Sequence, residues 1–173
     1  MIQEIDIPIN DPLITHFKKI FKLNSFAENR QNVVKITQNK GWFSWCKPDI
    51  VDTELPIYIN QIKDIMKNFE SDFNDAHVEM CYGITNDTIT CKKDICAADY
   101  STDYTGKVNI CVVYIDVACD GGELVFYNEK KESFKTIQIT SCKVVMFEGS
   151  VYHRRNDYSK GHRLWVLFQF PRK

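Results

Sequence analysis

The pattern of apolar and polar positions changes character at His77. From there to Phe170 the chain shows short runs of β-branched and aromatic residues separated by turn residues, which is typical of consecutive strands. The predicted strands are 77–82, 109–116, 123–127, 134–139, 143–147 and 163–170. Asp120-Gly121-Gly122 indicates a turn between the second and third of them, because glycine adopts a positive φ without steric cost.

The residues before His77 favour helices. Asp11 is a predicted N-cap with Pro12 at the first helical position, and the apolar residues that follow have helical spacing: Leu13, Phe17, Ile20 and Phe21. A second helix is predicted over 57–70 and one strand over 33–37. Two helices followed by a run of antiparallel strands predict an α+β fold in which the helices buttress one sheet.

Length and composition indicate one soluble globular domain. The chain has 173 residues, 44% of them hydrophobic and 26% charged, which is enough to bury a core without disulfides. A formal net charge of −1 gives no global attraction to nucleic acid or to an anionic membrane. No apolar run approaches the roughly 20 residues that span a bilayer. Neither a membrane nor a nucleic acid is therefore expected as a partner.

The seven cysteines form no CxxC pair and no zinc-like spacing. Cys111 and Cys142 lie inside apolar strand patterns, where cysteine behaves as a small buried hydrophobe. The odd count, without a recognisable signal peptide, favours a reducing compartment, so we expect an intracellular, cytoplasmic protein.

Three segments resemble the prolyl-hydroxylase branch of the 2-oxoglutarate and Fe(II) oxygenases. They are VEMCYGI, then AADYSTDYTGKVNICVVYIDVACDGGELVFY, then VVMFEGSVYHRRNDYSKGHRLWVLFQF, and together they cover about residues 77–170. The resemblance implies a double-stranded β-helix, or jelly-roll barrel, over 77–170. Residues 1–76 would form a helical support region within a single domain of residues 1–173.

The resemblance also implies roles for individual residues. In this family two histidines and one carboxylate bind Fe(II) on one face, which leaves three positions for 2-oxoglutarate and O₂. His153 takes the place of the second metal histidine and Asp99 that of the metal aspartate. Arg163 takes the place of the arginine that pairs with the distal carboxylate of 2-oxoglutarate. Tyr114 and Tyr82 would line the co-substrate pocket.

One metal ligand is missing from this pattern. The first histidine of the family's HxD motif falls on Ala97, which has no donor atom. A shift of register to 101–103 places a serine there instead. His77-Val78-Glu79 has the required alternation, but it lies too early for the family's order of motifs. His153 and Asp99 alone should bind iron weakly.

Each of these residues also has an ordinary structural interpretation. His153 would be a partly buried polar residue on a strand, Asp99 a turn residue, and Tyr114 a core residue in either case. A local basic cluster could contact phosphate or an acidic partner, although a solvated loop between two strands is the simpler interpretation. Its members are Arg154, Arg155, Lys160, His162 and Arg163.

The incomplete iron site favours a non-catalytic oxygenase-fold protein that acts by binding another protein and needs no cofactor. The segment VACDGGELVFY and the missing histidine are similar to poxvirus virulence proteins with a degenerate prolyl-hydroxylase-like domain. That similarity implies a viral antagonist of host innate or oxygen-sensing signalling, with a host signalling protein as partner. The alternatives are an active dioxygenase that uses Fe(II) and 2-oxoglutarate to hydroxylate a protein side chain, and a β-rich scaffold without a small-molecule site.

Overall fold

The computed structural model describes residues 1–23, 33–36, 41–46, 54–85, 95, 97 and 106–173. Within these ranges it shows two helices and ten strands. In chain order they are β1 (Ile2–Asp6), α1 (Pro12–Leu23), β2 (Val33–Ile36), β3 (Gly41–Cys46), α2 (Leu55–Ile65), β4 (His77–Thr85), β5 (Val108–Gly121), β6 (Leu124–Tyr127), β7 (Ser133–Ile137), β8 (Lys143–Glu148), β9 (Tyr152–Arg155) and β10 (Tyr158–Pro171).

The strands form two antiparallel sheets. The larger has the order β1-β8-β5-β10-β4-β3-β2, and the smaller has the order β7-β6-β9. The long strands β5 and β10 lie at the centre of the larger sheet and pair with each other from Tyr158↔Gly121 to Pro171↔Val108. Strand order is therefore far from chain order, so the sheet depends on contacts between distant parts of the sequence.

Alternation along the central strands divides the apolar residues into two cores. The first, which we call the helix-side core, joins α1 and α2 to one face of the larger sheet through residues such as Phe17, Ile62 and Phe168. The second, which we call the inter-sheet core, lies between the two sheets and includes Phe126 and Phe147. Neighbouring residues on a strand serve different cores because successive side chains point to opposite faces.

A local interaction explains where α1 begins. The Leu13 amide donates to Asp11 Oδ1 at 2.9 Å, so Asp11 caps α1 as predicted. The Gln61 amide donates to the same oxygen at 2.9 Å and ties α2 to the start of α1. On α1, buried His16 stacks on Tyr58 of α2 with ring centroids 4.2 Å apart. Among the described residues, neither helix is long and apolar enough to cross a membrane.

The expected α+β composition is confirmed, with two helices and mostly antiparallel strands. All six strands predicted from His77 onward are present, and β4, β5 and β10 extend further than their patterns suggested. The second helix ends at Ile65 rather than near residue 70. The sequence pattern missed β1, β3 and β9, so residues 1–76 supply strands as well as helices.

Candidate functional site

A bulge in β5 brings several side chains of the site to one face. Trp165 pairs with Tyr114 and Leu164 pairs with Asp116, which leaves Ile115 as an extra residue on β5. Tyr114 and Val117 therefore both contact the inter-sheet core although they are three positions apart. A bulge of this kind re-aims the side chains that follow it, and bulges are frequent beside functional sites.

Arg163 is the largest fully buried side chain of the described residues, with 1% of its surface exposed. It occupies the same face of β10 as Trp165 and Leu167, two members of the inter-sheet core. Its Nη1 donates to the carbonyl oxygen of Gly122 at 3.0 Å. The guanidinium carbon lies 5.2 Å from the ring centroid of Tyr114 and 5.0 Å from that of Tyr158. Arg163 is thus an interior residue rather than a solvated loop charge.

The other nitrogens of Arg163 are not satisfied within the described structure. Nε and Nη2 are both buried, and neither has a hydrogen-bond partner among the described residues. These two nitrogens form one edge of the planar guanidinium, which can donate two parallel hydrogen bonds to a carboxylate or phosphate. Burying an unpaired charge is costly, and such a group in a native structure calls for an explanation. An anionic ligand at this edge provides one.

Gly122 makes room for the Arg163 side chain. A Cβ atom at Gly122 would lie 2.5 Å from Nη1 of Arg163 and 3.0 Å from Cβ of Tyr158. The residue also has a φ of 81°, a conformation that only glycine adopts without strain. The turn predicted at residues 120–122 therefore has a second role, because it places the carbonyl that Nη1 contacts.

The substitution Gly122→Ala is expected to destabilise the protein by about 1–3 kcal/mol, from the strained φ and the displacement of Arg163. Because Arg163 has to move, affinity for an anion at its open edge should fall as well. Chemical denaturation measures the first effect and calorimetric titration the second. A variant that keeps wild-type stability would show that this turn relaxes freely and does not position Arg163.

Strand β9 contributes His153 and Arg155 to the same interior face. They pair with Phe126 and Leu124 of β6, and both partners belong to the inter-sheet core. The His153 ring packs edge-on against Phe147 with centroids 4.8 Å apart. Its Nδ1 lies 2.9 Å from the carbonyl oxygen of Val151. A carbonyl only accepts, so Nδ1 donates, and Nε2 of the neutral ring keeps its lone pair.

Arg155 adds a second positive charge next to Arg163. Its guanidinium carbon lies 4.8 Å from the Tyr158 ring centroid, so the two guanidinium carbons are less than about 10 Å apart. At that distance two unit charges repel by on the order of 2 kcal/mol at an effective dielectric constant of about 20. Burial raises the pKa of Tyr114, and the charges of Arg163 and Arg155 oppose that increase. Both cations thus act on the same tyrosine.

No carboxylate among the described residues forms an ion pair with either arginine. Glu123 is close enough to Arg163 to feel its charge. The pKa of Glu123 is held below its usual value mainly by a hydrogen bond to its own backbone amide and by the Asn156 amide, with Arg163 contributing less. Asn156 Nδ2 donates to Glu123 Oε2 at 3.2 Å. Glu123 is thus held by neighbours other than Arg163.

The expected metal ligands are only partly covered by the described residues. Asp99 lies outside them, and of Tyr82 only the backbone is described, in β4 opposite Leu164. Ala97 is exposed. No group of three His, Cys, Asp or Glu side chains that could hold a metal ion occurs within the ranges the structure describes. Of the expected iron ligands, the described ranges include the side chain of His153, and Ala97, at the position that the resemblance gives to the first histidine, has no donor atom.

Three residues of this site escaped the sequence interpretation. Arg155 was grouped with solvated loop charges, because YHRR contains no apolar alternation that would predict a strand. Tyr158 was not singled out, since β10 was expected to begin only at residue 163. Gly122 was seen as a turn residue alone. The one available signal for Arg155 was its spacing of two from His153, which places both side chains on one face if the segment is a strand.

No protein-family model and no curated protein matches this sequence. Solved structures do match, over almost the whole chain. A prolyl-4-hydroxylase from Pseudomonas putida superposes with a TM-score of 0.64 at 14% identity, covering 99% of this chain and 92% of the other. A 2OG-Fe(II) oxygenase family oxidoreductase from Burkholderia pseudomallei gives a TM-score of 0.65 at 10% identity, covering 98% and 84%. The chain has an oxygenase-like fold.

A third neighbour extends the likeness to an animal enzyme. It is a Trichoplax adhaerens prolyl hydroxylase in complex with a hypoxia inducible factor oxygen degradation domain peptide fragment, with a TM-score of 0.60 at 11% identity and coverage of 98% and 82%. At these identities the likeness concerns the fold alone. The named neighbours are thus two prolyl hydroxylases and a 2OG-Fe(II) oxygenase, and what this chain shares with them is the fold.

Proposed function

We propose that this protein is an oxygenase-fold protein that has lost iron-dependent oxidation and acts by binding another protein. Its barrel would be a double-stranded β-helix over residues 77–170, supported by residues 1–76 within one domain. The observation that carries the proposal is the combination of Ala97, where the family's first metal histidine falls, with a buried Arg163 whose open edge can still hold an anion.

The charges around His153 argue against a divalent cation at this position. Arg155 lies two residues further along the same face of β9, and the two Cα atoms of such a pair are roughly 7 Å apart. A positively charged guanidinium on the same face as His153 repels a divalent cation held by that histidine. Ala97 offers no ligand to offset this repulsion. Metal affinity should therefore be weak even if Asp99 and His153 converge.

The residues at the expected co-substrate position, in contrast, favour an anion. The Nε–Nη2 edge of Arg163 is buried without a hydrogen-bond partner among the described residues, and Tyr114 lies against the same guanidinium. A carboxylate such as the distal one of 2-oxoglutarate would be held there by two charge-assisted hydrogen bonds. Arg163 would thus bind and orient an acidic molecule, while Tyr114 packs against it. Anion binding without metal binding is what a barrel with lost iron chemistry should retain.

Protein binding is the activity that remains for a barrel without a complete metal site. The resemblance of VACDGGELVFY to poxvirus virulence proteins supports a viral antagonist of host innate or oxygen-sensing signalling in the host cytoplasm. The Trichoplax neighbour was solved with a peptide of a signalling factor, so this fold can present a peptide-binding surface. We therefore expect a host signalling protein as the partner. The test is whether this protein and a host signalling protein, both purified, form a saturable complex.

The second candidate is an active dioxygenase that hydroxylates a protein side chain. The observation in its favour is the hydrogen bond from His153 Nδ1 to the Val151 carbonyl, a contact of the kind that orients a histidine ring when it ligates a metal. The two candidates differ in one measurement. Tight Fe(II) or Mn(II) binding together with consumption of 2-oxoglutarate by the purified protein would contradict our proposal.

The substitution Ala97→His tests the residue register behind the proposal. It restores the missing donor, so Mn(II) affinity should rise by about 10–100-fold over the weakly binding wild type. Isothermal titration or electron paramagnetic resonance measures the change, and Ala97→Ser serves as a matched control with no imidazole. Equal affinities for wild type and Ala97→His would show that position 97 does not correspond to the family's first histidine.

A further inference from the structure

We propose that Arg155 and Arg163 together form a binding site for a phosphate group, at the end of the inter-sheet core marked by Tyr158. The proposal deepens the proposed function by naming a ligand class for the Arg163 site. It rests on that function in one respect, since it assumes that no divalent cation occupies the site. Arg155 adds a second positive charge, which a site for a single carboxylate would not need.

The first step is the number of unused donors. Nε and Nη2 of Arg163 and Nε of Arg155 are all buried without hydrogen-bond partners among the described residues. Both guanidinium groups lie against Tyr158, at 5.0 Å for Arg163 and 4.8 Å for Arg155. Buried donors of two separate arginines therefore lie next to one aromatic ring. A single ligand group that touches both must offer acceptor atoms in more than one direction.

The second step is the balance of charge. Two guanidinium groups carry two positive charges, and the described residues pair neither of them with a carboxylate. A carboxylate has one charge and two oxygens, which one guanidinium edge already satisfies. A phosphate monoester carries nearly two charges at neutral pH and three terminal oxygens, so it can accept from both arginines at once. Phosphate is therefore the better match in both charge and geometry.

The third step is that the arrangement follows from strand alternation. Arg154 and Arg155 are adjacent, yet only Arg155 pairs with a residue of the inter-sheet core, Leu124. Arg154 pairs with Val125 and lies 5.9 Å from the Tyr127 ring, on the other face of β9, where its own Nε is also buried without a hydrogen-bond partner among the described residues. The same strand thus provides a matched control, since Arg154 has the same charge and neighbouring position but faces away from the site.

Titration calorimetry at constant ionic strength tests the proposal, with inorganic phosphate and glycerol phosphate as probes and acetate as the monoanion. We expect the wild-type protein to bind both phosphate probes at least tenfold more tightly than acetate. Arg155→Gln should weaken phosphate binding by at least tenfold but change acetate binding little, because Arg163 remains. Arg154→Gln should leave all three affinities within about twofold of wild type.

The two phosphate probes distinguish a site for free phosphate from one for a phosphorylated molecule, and tighter binding of either supports the proposal. Equal affinity for phosphate and acetate, or equal loss in Arg154→Gln and Arg155→Gln, would overturn it. Circular dichroism of each variant shows that it is folded, and Arg155→Lys provides a more conservative variant if Arg155→Gln is not. The titration needs neither metal nor turnover. Consumption of 2-oxoglutarate would refute the proposed function, whereas absent phosphate binding would refute this inference alone.

Discussion

Replacing Arg163 by methionine is expected to abolish anion binding without destabilising the ligand-free protein. Affinity for phosphate and for dicarboxylates should fall at least 100-fold, because the guanidinium edge provides the buried donors. The free energy of unfolding should stay within about 1 kcal/mol of wild type or rise by up to about 3 kcal/mol. Such a result would mean that the arginine is retained at the expense of stability, for a ligand.

The expected change in unfolding free energy follows from comparing the stabilising contacts of Arg163 with the cost of burying its charge. Arg163 contributes one hydrogen bond to Gly122, worth about 1.5–3 kcal/mol, and lies near two tyrosine rings that add roughly 0.5–2 kcal/mol each. Against these stands the desolvation of an unpaired charge, which costs several kcal/mol. Methionine fills a similar volume and removes that cost, so the terms cancel or favour the variant. If the arginine were fully ion-paired and hydrogen-bonded within the protein, its truncation would instead lower the unfolding free energy by about 3–5 kcal/mol.

Arg172 offers the contrasting case for this experiment. Its Nη1 lies 3.5 Å from Glu148 Oε2 and its Nε donates to the Val108 carbonyl at 3.2 Å, so its donors are used within the protein. Arg172→Met should therefore lower the unfolding free energy, by about 1–2 kcal/mol. Urea denaturation of both variants provides the comparison. A loss of more than about 3 kcal/mol in Arg163→Met would show that Arg163 is structural.

Among the glycines at positions 106, 121, 122 and 161, replacement of Gly161 by alanine is expected to destabilise the protein most. A Cβ atom at this position would lie 1.7 Å from the carbonyl oxygen of Ala118 and 2.8 Å from its carbonyl carbon. Both atoms belong to the backbone of the paired strand, so β5 and β10 would have to separate. We expect a loss of about 3–5 kcal/mol, which corresponds to a fall in Tm of roughly 10 °C for a chain of this size.

The position of Gly161 connects this loss to the site. The pairing of β10 with β5 changes register between Ser159 and His162, and Arg163 follows directly after. Separation of the strands there should also reduce phosphate affinity. Gly106→Ala is the matched control, since a Cβ atom would meet nothing within 4 Å, and its stability should remain within about 0.5 kcal/mol of wild type. Similar melting temperatures for the two variants would contradict the close approach at Gly161.

The sequence predicted the strands whose side chains alternate between two buried faces or carry continuous apolar runs. Strand β8, with the sequence KVVMFE, is an example, because its residues fill both cores. Strand β1 was missed since IQEID lies at the edge of the larger sheet and has few buried residues. Strand β9 was missed because YHRR has no apolar alternation, and all four of its side chains are only partly buried.

Only those site residues whose roles depend on their position along the chain could be predicted from the sequence. The roles expected of His153 and Arg163 came from the family resemblance, and an inward Arg163 was also favoured by its position before an apolar strand. The structure buries Arg163 and pairs His153 with Phe126 of the inter-sheet core. Arg155 and Tyr158 could not be predicted, because their proximity depends on strand pairing between β6 and β9 and on the start of β10. Spacing along a sequence does not reveal which charges meet across two sheets. The metal-binding prediction for Asp99 stays a prediction.

The extra residue Ile115 makes the two ends of β5 independent of each other. The residues of β5 before Ile115 are buried on both faces of the strand. The residues after it lead to the turn and to the arginine site. A sequence change beyond the bulge can alter charge or shape at the ligand end without shifting the register of residues 108–114. A single extra residue thus divides β5 into one part that packs on both faces and another that leads into the turn.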